Sequence, residues 1–131
     1  MPGHGRRWGQ GRGARRGGHG LRRFMEPCLL LLLHRGPGHG YDLAQGLADL
    51  GLPGVDPSLV YRLLRDLEEA ARVQSEWDTQ ATSGPARRVY RLTDTGDSVL
   101  ADWVAELRET DRVLHGFIAA YEEHMSESEE H

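Results

Sequence analysis

The C-terminal third of the chain carries a heptad repeat of apolar residues, and this repeat limits the possible folds more than any other feature. The positions that recur at alternating spacings of three and four residues are Leu100, Trp103, Leu107, Thr110, Leu114, Phe117 and Tyr121. Such spacing is typical of an α-helix with one apolar stripe. A helix of about 30 residues is about 45 Å long, and the remainder of so small a domain cannot cover it. The stripe therefore predicts that a partner chain packs along it.

The same segment has a recognisable start and end. The Thr93 hydroxyl can cap a helix, and Asp94 and Asp97 suit the positive end of the helix dipole. Residues 126–131 contain no apolar residue and are predicted to form a disordered tail, so we assign residues 93–125 to a C-terminal dimerisation helix. The predicted dimer interface consists of the apolar members of the stripe, which are Leu100, Trp103, Leu107, Leu114, Phe117 and Tyr121.

The N-terminal end of the chain differs from the rest in charge. The net charge of −4 is the sum of two unlike parts. Residues 1–23 are basic, with seven arginines and no acidic residue. Residues 24–131 are acidic, with nine arginines and twenty acidic residues. Because the basic segment is rich in glycine and has no apolar period, it is predicted to be a disordered arm. The arm either adds a grip on phosphate groups of a partner, so that deleting residues 1–20 flattens the salt dependence of binding, or it has no defined role.

Several classes of protein are excluded or disfavoured. A single cysteine, Cys28, cannot form an intramolecular disulfide or a four-thiolate zinc site within one subunit. No nucleophile elbow, phosphate loop or paired acid–base motif is present, so neither an enzyme nor a cofactor is predicted. The apolar run at residues 28–33 is shorter than the roughly 7–15 residues of a signal peptide core and the roughly 20 of a membrane helix. A cytoplasmic protein without membrane contact is therefore expected.

Three shorter helices are predicted before the long one. The first begins near Phe24, is apolar on all sides, and ends at the glycine-rich turn 36–38. The second spans residues 41–50. The third begins at Asp56-Pro57, an N-cap residue followed by proline at the first helical position, and runs to about Ala71.

The third helix separates its residues clearly between two faces. The residues predicted to point inward are Val60, Leu63, Leu64 and Leu67, at helical spacing. The opposite face carries Ser58, Arg62, Arg65 and Glu69. Its first turns are therefore rich in hydroxyl and guanidinium groups, which are donors suited to DNA.

Two alternating segments, residues 73–79 and 87–92, flank a stretch of small, turn-forming residues and predict a β-hairpin. Three helices followed by a hairpin form a winged helix-turn-helix, here assigned to residues 24–92. The predicted fold class is thus mainly α with a small β-hairpin (α+β), followed by the long C-terminal helix.

This arrangement suits DNA, because a helix enters the major groove while arginines of the wing neutralise phosphates. The predicted DNA-binding residues are Ser58, Tyr61, Arg62, Arg65, Arg87 and Arg88. Arginine can bond guanine bidentately. The alternative for Arg62 and Arg65 is an ordinary solvated helix face, paired with Asp66 or Glu69. Tyr61 either packs with its hydroxyl free to meet a phosphate or contacts a base.

Three motifs together resemble the PadR family of bacterial transcriptional regulators. They read GPGHGYDL at residues 36–43, DPSLVYRLLRDLE at 56–68 and GPARRVYRLT at 84–93. The resemblance implies a homodimeric repressor whose C-terminal helix is the dimer element and which releases its operator when an effector binds near the interface, or on another signal. It makes Trp103, otherwise a core residue, a candidate for lining an effector pocket between subunits. The identity of the effector, the operator sequence and the target genes do not carry over.

The sequence departs from the family at the ends of the third helix. Ser58 stands where the family commonly has glycine, and Ala71-Arg72 stands where it commonly has glycine and an aliphatic residue. Without a glycine suited to the left-handed conformation, the helix is expected to run on or to end less tightly, at a cost of about 1 kcal/mol. Arg72 in place of an aliphatic residue is also expected to alter how the wing docks.

Two other functions stay open at this point. The first is a winged-helix module that binds proteins and has lost DNA binding, which the acidic body favours. The second is a metal- or redox-responsive switch that uses Cys28 or the histidines. No histidines form a compact ligand motif, although His34 and His39 lie five residues apart across a turn. No metal site is therefore predicted, and His39 is expected to orient the turn.

Overall fold

The computed structural model of the chain describes residues 23–52, 54–78 and 86–130. Its helices and strands are α1 (Met25–Arg35), β1 (Gly38–His39), α2 (Gly40–Asp49), α3 (Pro57–Glu69), β2 (Val73–Trp77), β3 (Arg88–Leu92) and α4 (Asp94–Glu130). The strands form one antiparallel sheet in the order β1-β3-β2. This is the predicted α+β winged helix-turn-helix with a long C-terminal helix. All of the predicted arm except Arg23, and the tip of the hairpin, lie outside the described residues.

The core is built from the apolar faces of the first three helices and the wing. Its buried apolar residues are Met25, Leu29, Leu30, Leu33, Leu43, Leu47, Leu52, Val60, Leu64, Leu67, Val73 and Tyr90. On α3, Leu63 is half-buried, so the predicted inward face is confirmed. In α1, Leu31 is exposed, and the helix is therefore not buried on all sides as predicted. A Cβ on Gly46 of α2 would lie 2.9 Å from a methyl group of Leu32, so this glycine lets α1 and α2 pack closely.

The expectation that α3 runs on is wrong, whereas the expected cost of the missing glycine stays a prediction. The helix ends at Glu69, and Ala71 adopts the left-handed conformation, with φ 64°. The Arg72 N–H donates to the Leu67 carbonyl at 2.9 Å and the Ala71 N–H donates to the Glu68 carbonyl at 3.0 Å. These two bonds are those of a Schellman motif, so alanine occupies the position that normally takes glycine.

Arg72 serves as a polar connection and does not occupy an aliphatic core position. Its guanidinium forms an ion pair with Glu26 on α1. Its carbonyl oxygen accepts a hydrogen bond from the Thr93 N–H at 3.2 Å. The next residue, Val73, is buried in the core. The start of the wing is therefore held by α1 on one side and by the start of α4 on the other.

The long helix α4 begins as predicted, because the Thr93 hydroxyl accepts the Gly96 N–H at 3.0 Å. Its first turns pack against the core through Val99, Leu100 and Trp103. The helix has 37 residues, which corresponds to about 55 Å. The residues 126–130, predicted as a tail, continue the helix, since they include neither glycine nor proline. Among the described residues, no helix has both the length and the apolar content that crossing a bilayer requires.

Candidate nucleic-acid interface

The first turn of α3 is fixed by its own sequence. The Asp56 carboxylate accepts a hydrogen bond from the Ser58 N–H at 3.0 Å, and Pro57 occupies the first turn. The carboxylate thus accepts from one of the N–H groups that have no partner within the first turn of a helix. The start of α3, which is predicted to enter the major groove, is therefore a capped helix end.

Three of the predicted DNA-binding residues lie together on this helix. Ser58, Arg62 and Arg65 border one shallow, open depression on the exposed side of α3. No acidic side chain of the described residues lies within ion-pair distance of Arg62 or Arg65, so the alternative of pairing with Asp66 or Glu69 is not seen. Both guanidinium groups keep their donors for a ligand.

The other three predicted residues border a second depression, which we call the helix–wing cleft. It lies between α3 and the sheet, has a volume of about 260 Å³, and is lined by His39, Gly40, Tyr61, Trp77, Ala86, Arg87, Arg88 and Tyr90. Tyr61 is exposed, and its ring lies against the start of α2, where a Cβ on Gly40 would come within 2.2 Å of the ring. The predicted DNA-binding residues thus form two neighbouring groups.

Arg88 is held in a defined position on the wing. Its guanidinium carbon lies 4.6 Å from the ring centroid of Trp77, within the range of a cation–π contact. Its Nη1 donates to the Ser75 hydroxyl at 3.1 Å, and that hydroxyl donates to the Glu68 carboxylate of α3 at 2.8 Å. This chain of bonds joins the wing to α3.

Sequence reasoning missed Trp77 and Tyr90. Trp77 lies directly across from Arg88 in the β2–β3 register, and Tyr90 lies across from Ser75. If the ends of the hairpin loop were known, counting residues outward from them along both strands would pair these positions. The alternation of residues within each strand does not show where the loop begins and ends.

His39 connects the start of α2 to the wing. Its Nε2 lies 3.0 Å from the Asp78 carboxylate and its Nδ1 lies 3.4 Å from the Asp42 carboxylate. The Asp78 N–H in turn donates to the Arg87 carbonyl at 2.7 Å. The prediction that His39 orients this turn agrees with these contacts.

Comparison with known proteins shows the family to which this chain belongs. The family model described as the PadR-like family of transcriptional regulators matches residues 29–102, which is more than half of the chain. The chain belongs to this family. A search of curated protein sequences found no match.

Solved structures of PadR-like proteins have the same fold. A PadR-like transcription factor from Bacteroides fragilis is 33% identical, with a TM-score of 0.60 over 72% of this chain and 89% of that one. A PadR family regulator from Clostridium difficile is 21% identical, with a TM-score of 0.66 over 72% of this chain and 98% of that one. The PadR of Bacillus subtilis, solved with operator DNA, is 28% identical, with a TM-score of 0.55 over 63% of this chain and 47% of that one.

The structure of this PadR-like chain divides the predicted dimer interface into two parts. Leu100, Trp103 and Leu107 are partly buried, the first two against the core. Further along α4, apolar side chains are exposed; these are Val113, Leu114, Phe117, Ile118, Tyr121 and Met125, which we call the distal stripe. The core of one chain therefore covers only the first part of the helix. The role of Trp103 in an effector pocket stays a prediction.

The structure gives little support to a redox or metal switch in this PadR-like chain. Cys28 is half-buried in α1, and burial raises the pKa of its thiol above the ordinary value, which disfavours the reactive thiolate. Within the described parts of the chain, no three histidine, cysteine, aspartate or glutamate residues cluster as metal ligands would.

Proposed function

We propose that this PadR-like regulator is a homodimeric DNA-binding repressor that acts on a pseudo-palindromic operator and responds to a small-molecule effector. The observation that carries the proposal is the exposed face of α3. It presents Ser58, Arg62 and Arg65 from a capped helix, with both guanidinium groups unpaired among the described residues. The Bacillus subtilis PadR bound to operator DNA supports the same role here.

In this proposal the chain divides into three working parts. Residues 24–92 form the DNA-binding domain, the long helix that follows is the dimerisation element, and the arm of residues 1–23 adds a basic extension. The exposed distal stripe supports dimerisation, because a monomer would leave these apolar side chains in water. We place the effector site near Trp103, where the helix leaves the core.

DNA recognition follows from the two groups of residues. Arg62 and Arg65 would reach guanine edges or phosphates from the major groove, while Arg87 and Arg88 would contact phosphates from the wing. In a two-fold dimer, the two recognition helices would read half-sites that lie roughly 10 base pairs apart or a multiple of that distance. The same interface would then repeat on both halves of the operator.

The test is a gel shift and footprint on the upstream region of the gene that encodes this chain. Alanine at Arg62 or Arg65 should cost about 1–3 kcal/mol and relax sequence preference if the residue contacts a base. Equal loss on all DNA would identify a phosphate contact. Arg108→Ala, which removes an exposed arginine from α4, is the matched control. If no DNA is shifted under any condition, a protein-interaction module is the better description.

A further inference from the structure

The helix–wing cleft contains a polar group that the proposed DNA contacts leave unused. Tyr90 lies in the central strand β3 and is only 6% exposed. No hydrogen bond joins its hydroxyl to any other residue of the described chain. Burial raises the pKa of Tyr90 above its ordinary value, so the hydroxyl stays protonated and able to donate near neutral pH. The hydroxyl of a largely buried tyrosine usually has a hydrogen-bond partner, so the unpartnered hydroxyl of Tyr90 points to a bound group.

The surroundings of Tyr90 are suited to an anion. Arg87 and Arg88 line the same cleft, and the contacts to Trp77 and Ser75 hold Arg88 in place. Two carboxylates are near: Glu68, which accepts from Ser75 and adds to the raised pKa of Tyr90, and Asp78, which lies against His39. The two arginines offset these charges, and the cleft offers a neutral donor and a fixed cation to a bound group.

The position of the cleft indicates which anion binds there. In the proposed docking, α3 lies in the major groove and the wing contacts phosphates beside it, so a DNA strand passes over the space between helix and wing. The group nearest this space is a phosphodiester of that strand.

We propose that the helix–wing cleft binds one backbone phosphate of each operator half-site, with the Tyr90 hydroxyl and the Arg88 guanidinium as its donors. This inference rests on the proposed function. Trp77, although 56% exposed, is then a positioning residue. Its ring restricts the guanidinium of Arg88, so that less side-chain freedom is lost when the phosphate binds.

The experiment replaces operator phosphates one at a time with neutral methylphosphonates and measures affinity for wild type and Tyr90→Phe. We expect Tyr90→Phe to weaken binding about tenfold, because it removes a hydrogen bond to a charged group. It should keep the salt slope, since no cation is lost. At one phosphate in each half-site, the methylphosphonate should weaken Tyr90→Phe less than wild type, because only the contact with Arg88 is left to lose. The free energy of unfolding should be unchanged, because no protein partner is lost.

Variants of Trp77 and Arg88 test the positioning role. Arg88→Ala should lower the salt slope by about one. Trp77→Ala should weaken binding in the wild type but have no further effect in Arg88→Ala, and Trp77→Phe should restore most of the affinity. Additive losses from the two alanine variants would overturn the role of Trp77.

The possible failures are distinguishable. If wild type binds no DNA, the proposed function fails and this inference fails with it. If wild type binds DNA but Tyr90→Phe binds equally well with the same methylphosphonate profile, only this inference is overturned. If inorganic phosphate at constant ionic strength displaces DNA from wild type but not from Tyr90→Phe, and no methylphosphonate matters, the cleft binds a free phosphate and the DNA assignment is wrong.

Discussion

The carbonyl oxygen of Arg72 lies so close to Gly96 that a Cβ on that glycine would be 2.0 Å from it. Around this contact, the Thr93 N–H bonds the Arg72 carbonyl and the Thr93 hydroxyl donates to the Ala71 carbonyl at 2.7 Å. The start of the wing and the start of α4 thus meet backbone to backbone. This junction connects the wing to the proposed dimerisation helix.

Gly96→Ala should therefore destabilise the fold. The added methyl group would meet backbone, which cannot move aside as a flexible side chain can, and we expect a loss of about 1–3 kcal/mol in the free energy of unfolding. Urea denaturation measures it. Gly116→Ala is the control, because a Cβ at Gly116 meets nothing within 4 Å and alanine is the better helix former. Equal stability of the two variants would contradict the tight junction.

Ala71→Gly should stabilise the protein. Ala71 has a φ of 64°, a conformation that glycine adopts without steric cost. We therefore expect the free energy of unfolding to rise by about 1 kcal/mol. The greater freedom of glycine in the unfolded chain reduces this gain. The control is Ala70→Gly, since Ala70 has a φ of −87° and gains nothing from glycine. The prediction is wrong if Ala71→Gly unfolds at the same or a lower urea concentration than wild type.

The helical parts of this fold could be predicted because they depend on local patterns. The inward face of α3, its Asp56 cap and the Thr93 cap of α4 all follow from spacing within a few residues. The left-handed Ala71 could not be predicted, because hydrogen bonds from Thr93, more than twenty residues away, hold the carbonyls of Ala71 and Arg72 in place. Local sequence alone favours a glycine there.

The candidate site was predictable only in part for the same reason. Arg62 and Arg65 follow from the periodicity of a single helix. The helix–wing cleft depends on the pairing of Trp77 with Arg88 and on strand β1, which is only two residues long and has no recognisable period. Tyr90 looks like an ordinary core residue of a strand until the register places it beside Tyr61 and the arginines.

Gly40→Ala should affect DNA binding more than stability. The new methyl group would overlap the Tyr61 ring, which can rotate away because it is a side chain, whereas alanine favours the first turn of α2. We expect weaker operator binding and an almost unchanged free energy of unfolding. Gly36→Ala serves as the control, because open space surrounds that position. Wild-type affinity in Gly40→Ala would mean that the orientation of Tyr61 does not matter.

The pKa of His115 in the folded helix should lie above the ordinary value for histidine. The hydrogen bond to the Asp111 carbonyl, at 2.9 Å, and the neighbouring Asp111 carboxylate raise the pKa of His115. Its contribution to stability is then fully present below the unfolded pKa and is lost as the pH rises through the folded pKa. An NMR titration of the imidazole measures this, and Asp111→Asn should lower the pKa. An unchanged pKa in that variant would exclude the carboxylate as a cause.

Phe117→Glu should convert the protein into a monomer. Phe117 is 68% exposed in the single chain and lies in the middle of the distal stripe, so a glutamate there would place two charges at the proposed apolar contact between subunits. Sedimentation should show a dimer for wild type at micromolar concentration and a monomer for the variant. The variant should stay helical and bind single half-sites only weakly, because the two recognition helices are no longer linked.

Ala119→Glu is the matched control for this change, since it introduces the same side chain on α4 away from the heptad positions. It should leave the dimer intact. A monomeric wild type at micromolar concentration would remove the basis for a pseudo-palindromic operator, because the spacing of the half-sites depends on the two-fold axis between the helices. A wild-type dimer that survives Phe117→Glu would instead place the interface elsewhere on the chain.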